Sequence, residues 1–69
     1  MDINEIINSE LKKVKAYYSE YETERHFYGK NYVNDNMDKF DCIAQLEYHF
    51  KILILLIELR ERRENDNEK

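Results

Sequence analysis

Residues 36–64 read NMDKFDCIAQLEYHFKILILLIELRERRE, and this stretch decides the fold of the 69-residue chain. It contains no glycine or proline, and its apolar residues recur every three or four positions, which predicts one long α-helix. At about 100° per residue, these side chains fall into two stripes on roughly opposite sides of the helix. The first stripe consists of Ile43, Leu46, Phe50, Leu53 and Ile57. The second consists of Tyr48, Ile52, Leu55 and Leu59, with Leu56 between the two.

An earlier helix is predicted over about residues 3–28, and it has a single apolar face. Asp2 followed by Glu5 is a D-x-x-E capping signal that marks its start. The face is formed by residues spaced three, four or seven apart, namely Ile3, Ile7, Leu11, Val14, Tyr18, Tyr21 and Tyr28. Gly29, the single glycine, follows the last of them, so we expect the helix to end there with a left-handed residue.

The remaining segments are predicted to connect or to extend these two helices. We expect a hinge over residues 29–35, the second helix over about residues 36–64, and a frayed polar tail over residues 65–69. The candidate N-caps of the second helix are Asn34, Asp35 and Asn36. Because a short connection makes long helices antiparallel neighbours, residues 1–69 are predicted to form one all-α domain, an antiparallel two-helix hairpin.

The second stripe of the later helix has no partner within such a hairpin. Burying one Leu or Ile is worth about 1.5–3 kcal/mol, and a chain of this length has little stability to lose. We therefore expect two hairpins to dimerise through helix two into a four-helix bundle. The residues predicted for self-association are Tyr48, Ile52, Leu55, Leu56 and Leu59.

Charge and composition exclude several classes of protein. Fifteen acidic and eleven basic residues give a net charge of −4, so a charge-driven grip on nucleic acid is disfavoured. The longest apolar run, residues 52–57, is far shorter than the roughly 20 residues that span a bilayer, which predicts no membrane partner. The first residues lack the basic start and apolar stretch of a secretory signal, so we expect a cytoplasmic location.

The residue types that carry catalysis or metal binding are sparse. Glu22 and His26 share a helix face, but two ligands do not make a metal site, and no E-x-x-H occurs around His49. Cys42 lies beside Asp38 and Asp41, which would raise the pKa of its thiol, so we interpret it as a small packing residue. We expect no enzymatic activity, no metal and no cofactor.

The hinge region combines basic and aromatic residues. The candidate partner-binding residues are Arg25, His26, Phe27, Lys30 and Tyr32. One interpretation is an anchor for a partner protein, because aromatic residues and Arg dominate interface hot spots. A second is a platform for stacking nucleic-acid bases, and a third is that Phe27 and Tyr32 fold over the end of the bundle as a plug.

These features favour a non-enzymatic module, a homodimer that regulates or inhibits an unidentified protein. The abundance of Ile, Asn, Lys, Glu and Tyr is common in AT-rich genomes, so a regulator encoded by a phage or mobile element of a low-GC bacterium fits the composition. The alternatives are a nucleic-acid-binding hairpin dimer that uses the hinge, and a structural or assembly subunit. The identity of the partner, the direction of regulation and the relative orientation of the two hairpins stay open at this level.

Overall fold

The computed structural model of the protein describes residues 2–67, with side chains for residues 2–65. Within that range the chain is all-α and contains no β-strand, which confirms the predicted class. The elements are α1 (Ile3–Tyr28), α2 (Lys30–Asp35), a short 3-10 turn (Met37–Lys39) and α3 (Asp41–Asn67).

Helix α1 covers the range that its apolar pattern predicts. The Asp2 carboxylate accepts a hydrogen bond from the Asn4 backbone N–H at 3.3 Å, so Asp2 is the N-cap. Gly29 follows the last helical residue with φ 90° and ψ 148°, and its N–H donates to the Arg25 carbonyl at 2.9 Å. Its φ is positive as expected, but its ψ is extended and not left-handed helical. A Cβ at Gly29 would meet no atom within 4 Å, so the backbone conformation alone requires glycine here.

The connection between the long helices differs from the expected loop. Residues 30–35 form helix α2, and the Asn36 side-chain amide donates to the Tyr32 carbonyl at 2.8 Å. Asn36 therefore closes α2 and does not cap the next helix, as its side chain was predicted to do. The extended backbone at Phe40 then separates the 3-10 turn from α3, which begins at Asp41 and not near residue 36.

The later end of α3 also differs from expectation. The helix continues through Asn67, so residues 65–67 are helical and not part of a frayed tail. No proline or glycine interrupts this end, and helices end by preference at such residues. The last two positions of the predicted tail, residues 68–69, lie outside the described residues.

Helices α1 and α3 pack side by side in opposite directions. Arg60, late in α3, donates to the Asn4 side chain at the start of α1, with 3.2 Å between Nη1 and Oδ1. At the other end, the ring of Tyr28 lies 5.5 Å from that of Phe40, just before α3. The described residues extend 52 × 19 × 14 Å, the dimensions of two adjacent helices, so the fold has no thick interior.

Buried and half-buried residues recur along both long helices in alternating steps of four and three. On α1 the residues in this register are Ile3, Ile7, Glu10, Val14, Tyr17, Tyr21 and Glu24, and Ile6, Leu11 and Arg25 beside them are also half-buried. On α3 the residues in this register are Cys42, Leu46, His49, Leu53, Leu56 and Arg60, and Ile43, Gln45, Ile52 and Ile57 beside them are also half-buried. We call this contact line the seam. Its mean step of about 3.5 residues is that of left-handed coiled-coil packing.

The seam corrects several details of the predicted apolar faces. On α1 it includes Tyr17, whereas Tyr18 and Tyr28, which the pattern assigned to the inner face, are exposed. On α3 it includes His49, whereas Phe50 is exposed although it belongs to the stripe expected to be covered. The departure at Phe50 is local, because Ile43 and Ile57, seven residues before and after it on the same stripe, are half-buried as predicted.

Candidate interaction surfaces

The residues predicted for self-association divide between two faces of α3. We call Tyr48, Ile52, Leu55 and Leu59 the outer stripe, because they share a side of the helix away from the seam. Tyr48 is 60% exposed and Leu55 is 64% exposed, Leu59 is also exposed, and Ile52 is half-buried. Leu56 is half-buried and follows the register of the seam, so it does not belong to the outer stripe.

A second exposed apolar patch lies on the other side of α3. Phe50 and Ile54 are both exposed, and by the 100° count they are separated from the outer stripe by polar residues. We call these polar residues the charged ridge, which consists of Glu47, Lys51, Glu58 and Arg62. The Lys51 ammonium lies 3.3 Å from the Glu47 carboxylate within the ridge, and both side chains are exposed.

The centre of the seam contains an ionisable pair. The Glu10 carboxylate of α1 lies 2.9 Å from His49 Nδ1 of α3, and their side chains are only 11% and 14% exposed. The other carboxylate oxygen of Glu10 lies 3.2 Å from the Lys13 ammonium. Every carboxylate oxygen of Glu10 therefore has a hydrogen-bond donor, as a buried acid requires.

Aromatic rings enclose the imidazole of this pair. Tyr17 stacks on His49 with 5.5 Å between the ring centroids and 10° between the planes, and Tyr48 meets it edge-on at 5.1 Å. Burial raises the pKa of Glu10, but the hydrogen bonds from His49 and Lys13 and their charges outweigh it, so this pKa lies below 4.5. His49 is therefore half-buried in the seam and not a free surface imidazole.

Sequence reasoning missed this pair because both members are polar. A search for apolar residues in steps of three and four passes over Glu10 and His49. A search for two matching heptad registers, one in each helix, would have placed both at seam positions. With the helices antiparallel, that register also brings them to the same level.

The end of the molecule near α2 is closed by one apolar residue and a group of rings. Val33 is 1% exposed and fills the end of the seam. Tyr28 stacks on Tyr32 at 5.4 Å, and Phe40 meets the rings of Tyr28 and Tyr32 edge-on at 5.5 and 6.3 Å. Tyr32 is thus held in an aromatic cluster, although part of its ring stays exposed.

The other predicted partner-binding residues surround this cluster. Phe27 is 77% exposed and contacts the edge of the Tyr28 ring at 4.8 Å. Arg25 lies 3.5 Å from the Glu22 carboxylate, so its charge is shared with an acid on the same helix. His26 and Lys30 are exposed. The five predicted residues therefore lie near one end, with Phe27 as the prominent apolar group and Tyr32 packed beside it.

Cys42 is a buried free thiol in the seam. Burial raises the pKa of this thiol, and the carboxylates of Glu20 and Glu24 raise it further. The direction agrees with the sequence interpretation, but the acids responsible belong to α1 and are not the neighbours Asp38 and Asp41. A raised pKa keeps the sulfur protonated and poorly nucleophilic at neutral pH.

The described residues form neither a metal-binding cluster nor a membrane-spanning helix. No group of three or more His, Cys, Asp and Glu side chains is arranged to hold a metal ion in that part of the chain. None of the helices described is long and apolar enough to cross a membrane. No protein-family model matches the sequence, and no curated protein or solved structure shows significant similarity to it.

Proposed function

We propose that the protein is a non-enzymatic interaction module, a helical hairpin that dimerises through α3 into a four-helix bundle and regulates or inhibits another protein. The outer stripe is the self-association surface. The hinge end, with Phe27 as its apolar anchor, is the surface for the second protein. The proposal includes no membrane, metal or cofactor, and it places the protein in the cytoplasm.

The distribution of apolar side chains carries this proposal. In the described part of the chain, the buried apolar residues are Ile7, Val33, Cys42 and Leu53, whereas ten large apolar or aromatic residues are exposed. Three of those ten, Tyr48, Leu55 and Leu59, share the outer stripe. Soluble monomers rarely leave a continuous apolar surface in water, so a larger apolar patch marks an interaction site.

The hinge end suits a protein partner better than nucleic acid. Phe27 offers an exposed aromatic side chain of the kind that fills a pocket in an interface. The cation nearest to it in sequence on α1, Arg25, is paired with Glu22, and the whole chain is acidic. Binding to phosphates gains its affinity mainly from free positive charge, which is limited here.

The test of self-association is the solution mass, measured by light scattering across a dilution series. We expect a dimer that dissociates on dilution, and we expect Leu55→Glu to leave a folded monomer. Ile54→Glu is the matched control, because Ile54 is the adjacent exposed residue but lies on the other side of the charged ridge. A native chain that is monomeric throughout the series contradicts the dimer, and a mass that keeps rising beyond the dimer favours an assembly subunit.

The test against the nucleic-acid alternative is retention of short DNA and RNA at low salt. We expect no retention by the native chain. If retention occurs and disappears when Arg25 and Lys30 are both replaced by Glu, the protein-regulator proposal is wrong and the hinge is a nucleic-acid surface.

A further inference from the structure

The charged ridge lies beside the outer stripe and decides how two copies of α3 fit together. By the 100° count, the ridge borders the stripe on the side away from α1. In an antiparallel pair related by a two-fold axis, the same edge of each helix lies against itself. The ridge of one protomer then runs beside the ridge of its partner in the reverse direction.

Read in order, the ridge alternates in sign: Glu47, Lys51, Glu58 and Arg62. Reversing this order places each charge opposite one of the other sign. Lys51 then faces the partner's Glu58, and Glu47 faces the partner's Arg62, and each pairing occurs twice by symmetry. Both pairings are centred between positions 54 and 55.

The apolar pairings of the outer stripe with its copy in the partner are centred at nearly the same position. Tyr48 opposite the partner's Leu59, and Ile52 opposite the partner's Leu55, are both centred between positions 53 and 54. The two centres differ by one residue, so in the register of the outer stripe the members of each charged pair are offset by two residues, about 3 Å along the helix, a distance that long Lys and Arg side chains span. One antiparallel register therefore satisfies the apolar and the charged residues together.

A parallel pair lacks this match. Its two-fold axis runs along the helices, so the ridge of one protomer meets the opposite edge of the partner's α3. That edge carries the half-buried Gln45 and Leu56 and is next to the seam with α1. The ridge charges would find no opposite charges there. The existing Lys51–Glu47 pair does not compete strongly, because both side chains are exposed and such pairs contribute little.

We propose that two copies of the chain pair through α3 in antiparallel orientation, with Lys51 of each protomer beside the partner's Glu58 and Glu47 beside the partner's Arg62. The proposal rests on the dimer of the proposed function and specifies its geometry. The self-complementary ridge selects this orientation, and the outer stripe provides most of the buried surface.

Charge reversal at two positions tests the pairing. K51E and E58K each replace two attractions between protomers by two repulsions, and we expect each to weaken the dimer about tenfold. The double variant K51E/E58K restores opposite charges and is expected to return to within about threefold of the native dissociation constant. Dissociation constants are measured by sedimentation equilibrium at low salt, where surface charges are least screened.

If only contacts within one α3 helix mattered, the double variant would dimerise more weakly than either single variant. K51E places two carboxylates four residues apart with Glu47, and E58K places two cations four residues apart with Arg62. The double variant carries both repulsions, so a rescue arises only between protomers. A double variant weaker than either single variant overturns the proposal.

Cross-linking tests the orientation directly. In a Cys42→Ala background, E47C and R62C chains are mixed and treated with a short bis-maleimide, and circular dichroism checks that each variant stays helical. We expect E47C to be linked to R62C. Self-linked E47C in a stable dimer overturns the antiparallel geometry but leaves dimerisation intact, whereas a native chain that is monomeric overturns both.

Discussion

The two sides of α3 differ less in polarity than those of an ordinary amphipathic helix. Its inner side includes His49, which pairs with the Glu10 carboxylate inside the seam. Its outer side exposes Leu55, only two residues away from Leu53, which is 8% exposed. A polar pair thus occupies the inside, and leucine is left outside. Because apolar burial is the main source of stability, a single chain leaves much of its available stabilisation unused.

The polar pair specifies the register of the two helices in the seam, which apolar residues alone do not do. A shift of one helix along the other by one turn would leave His49 buried without its carboxylate partner and would remove one of the two donors to Glu10, which costs more than a mismatch between leucines. Polar residues at seam positions of coiled coils select register at some loss of stability. The seam therefore specifies how α1 lies on α3, and the outer stripe is free to strengthen the protein through association.

The largest expected contrast is between Leu53→Ala and Leu55→Ala. Leu53→Ala opens a cavity in the seam and should lower the free energy of unfolding by about 2–4 kcal/mol at any protein concentration. Leu55→Ala should cost less than about 0.5 kcal/mol when the chain is dilute and monomeric, and more when it is concentrated and dimeric. Urea unfolding at a low and a high protein concentration measures both. Equal losses of unfolding free energy for the two variants in dilute solution would show that the two sides of α3 contribute equally to the stability of the monomer.

The next largest effect concerns the Glu10–His49 pair and its dependence on pH. The pKa of Glu10 is lowered from its ordinary value, so its contribution to stability is fully present above the titration range of an unfolded glutamate and is lost as the pH falls through the lowered pKa. Glu10→Gln should reduce the free energy of unfolding by about 1–2 kcal/mol at neutral pH, because the hydrogen bonds to a charged carboxylate are weakened. The difference between the two proteins should shrink as the pH falls below 4.5.

Urea unfolding at a series of pH values measures this difference. Glu22→Gln is the control, since Glu22 also lies near a cation, Arg25, but is exposed, and its loss should change stability by less than about 0.5 kcal/mol. A Glu10 variant that behaves like the Glu22 variant would mean that the inside of the seam is as well solvated as the surface of α1.

The sequence predicted the parts of this fold that depend on local signals. Asp2 and Gly29 mark the two ends of α1 correctly, because a cap and a positive φ are properties of a few neighbouring residues. Asn36 was ambiguous, since its side chain serves equally well at the end of one helix or the start of the next, and only the structure shows it bound to the Tyr32 carbonyl. Helix α2 was missed for that reason.

The candidate surfaces were predictable in part. The exposure of Tyr48, Leu55 and Leu59 was predictable, because α3 carries two apolar stripes and the chain provides only one long helix to cover them. The exposure of Phe50 was not predictable, because it depends on where α1 lies against α3 and not on the apolar pattern within α3. Pairing between helices is a tertiary property, and one helix read by itself does not contain it.

The smallest expected effect is that of Phe27→Ala at the hinge end. This variant tests whether an exposed aromatic residue outside the outer stripe contributes to self-association. Phe27 is 77% exposed, so its loss should change the free energy of unfolding by less than about 0.5 kcal/mol and should leave the dimer mass unchanged. Val33→Ala, at the same end but buried, should cost about 1–2 kcal/mol and shows that the assay detects packing there. Thermal unfolding and light scattering of the two variants provide the comparison. A folded Phe27 variant that loses the dimer would move the self-association surface from the outer stripe to the hinge end.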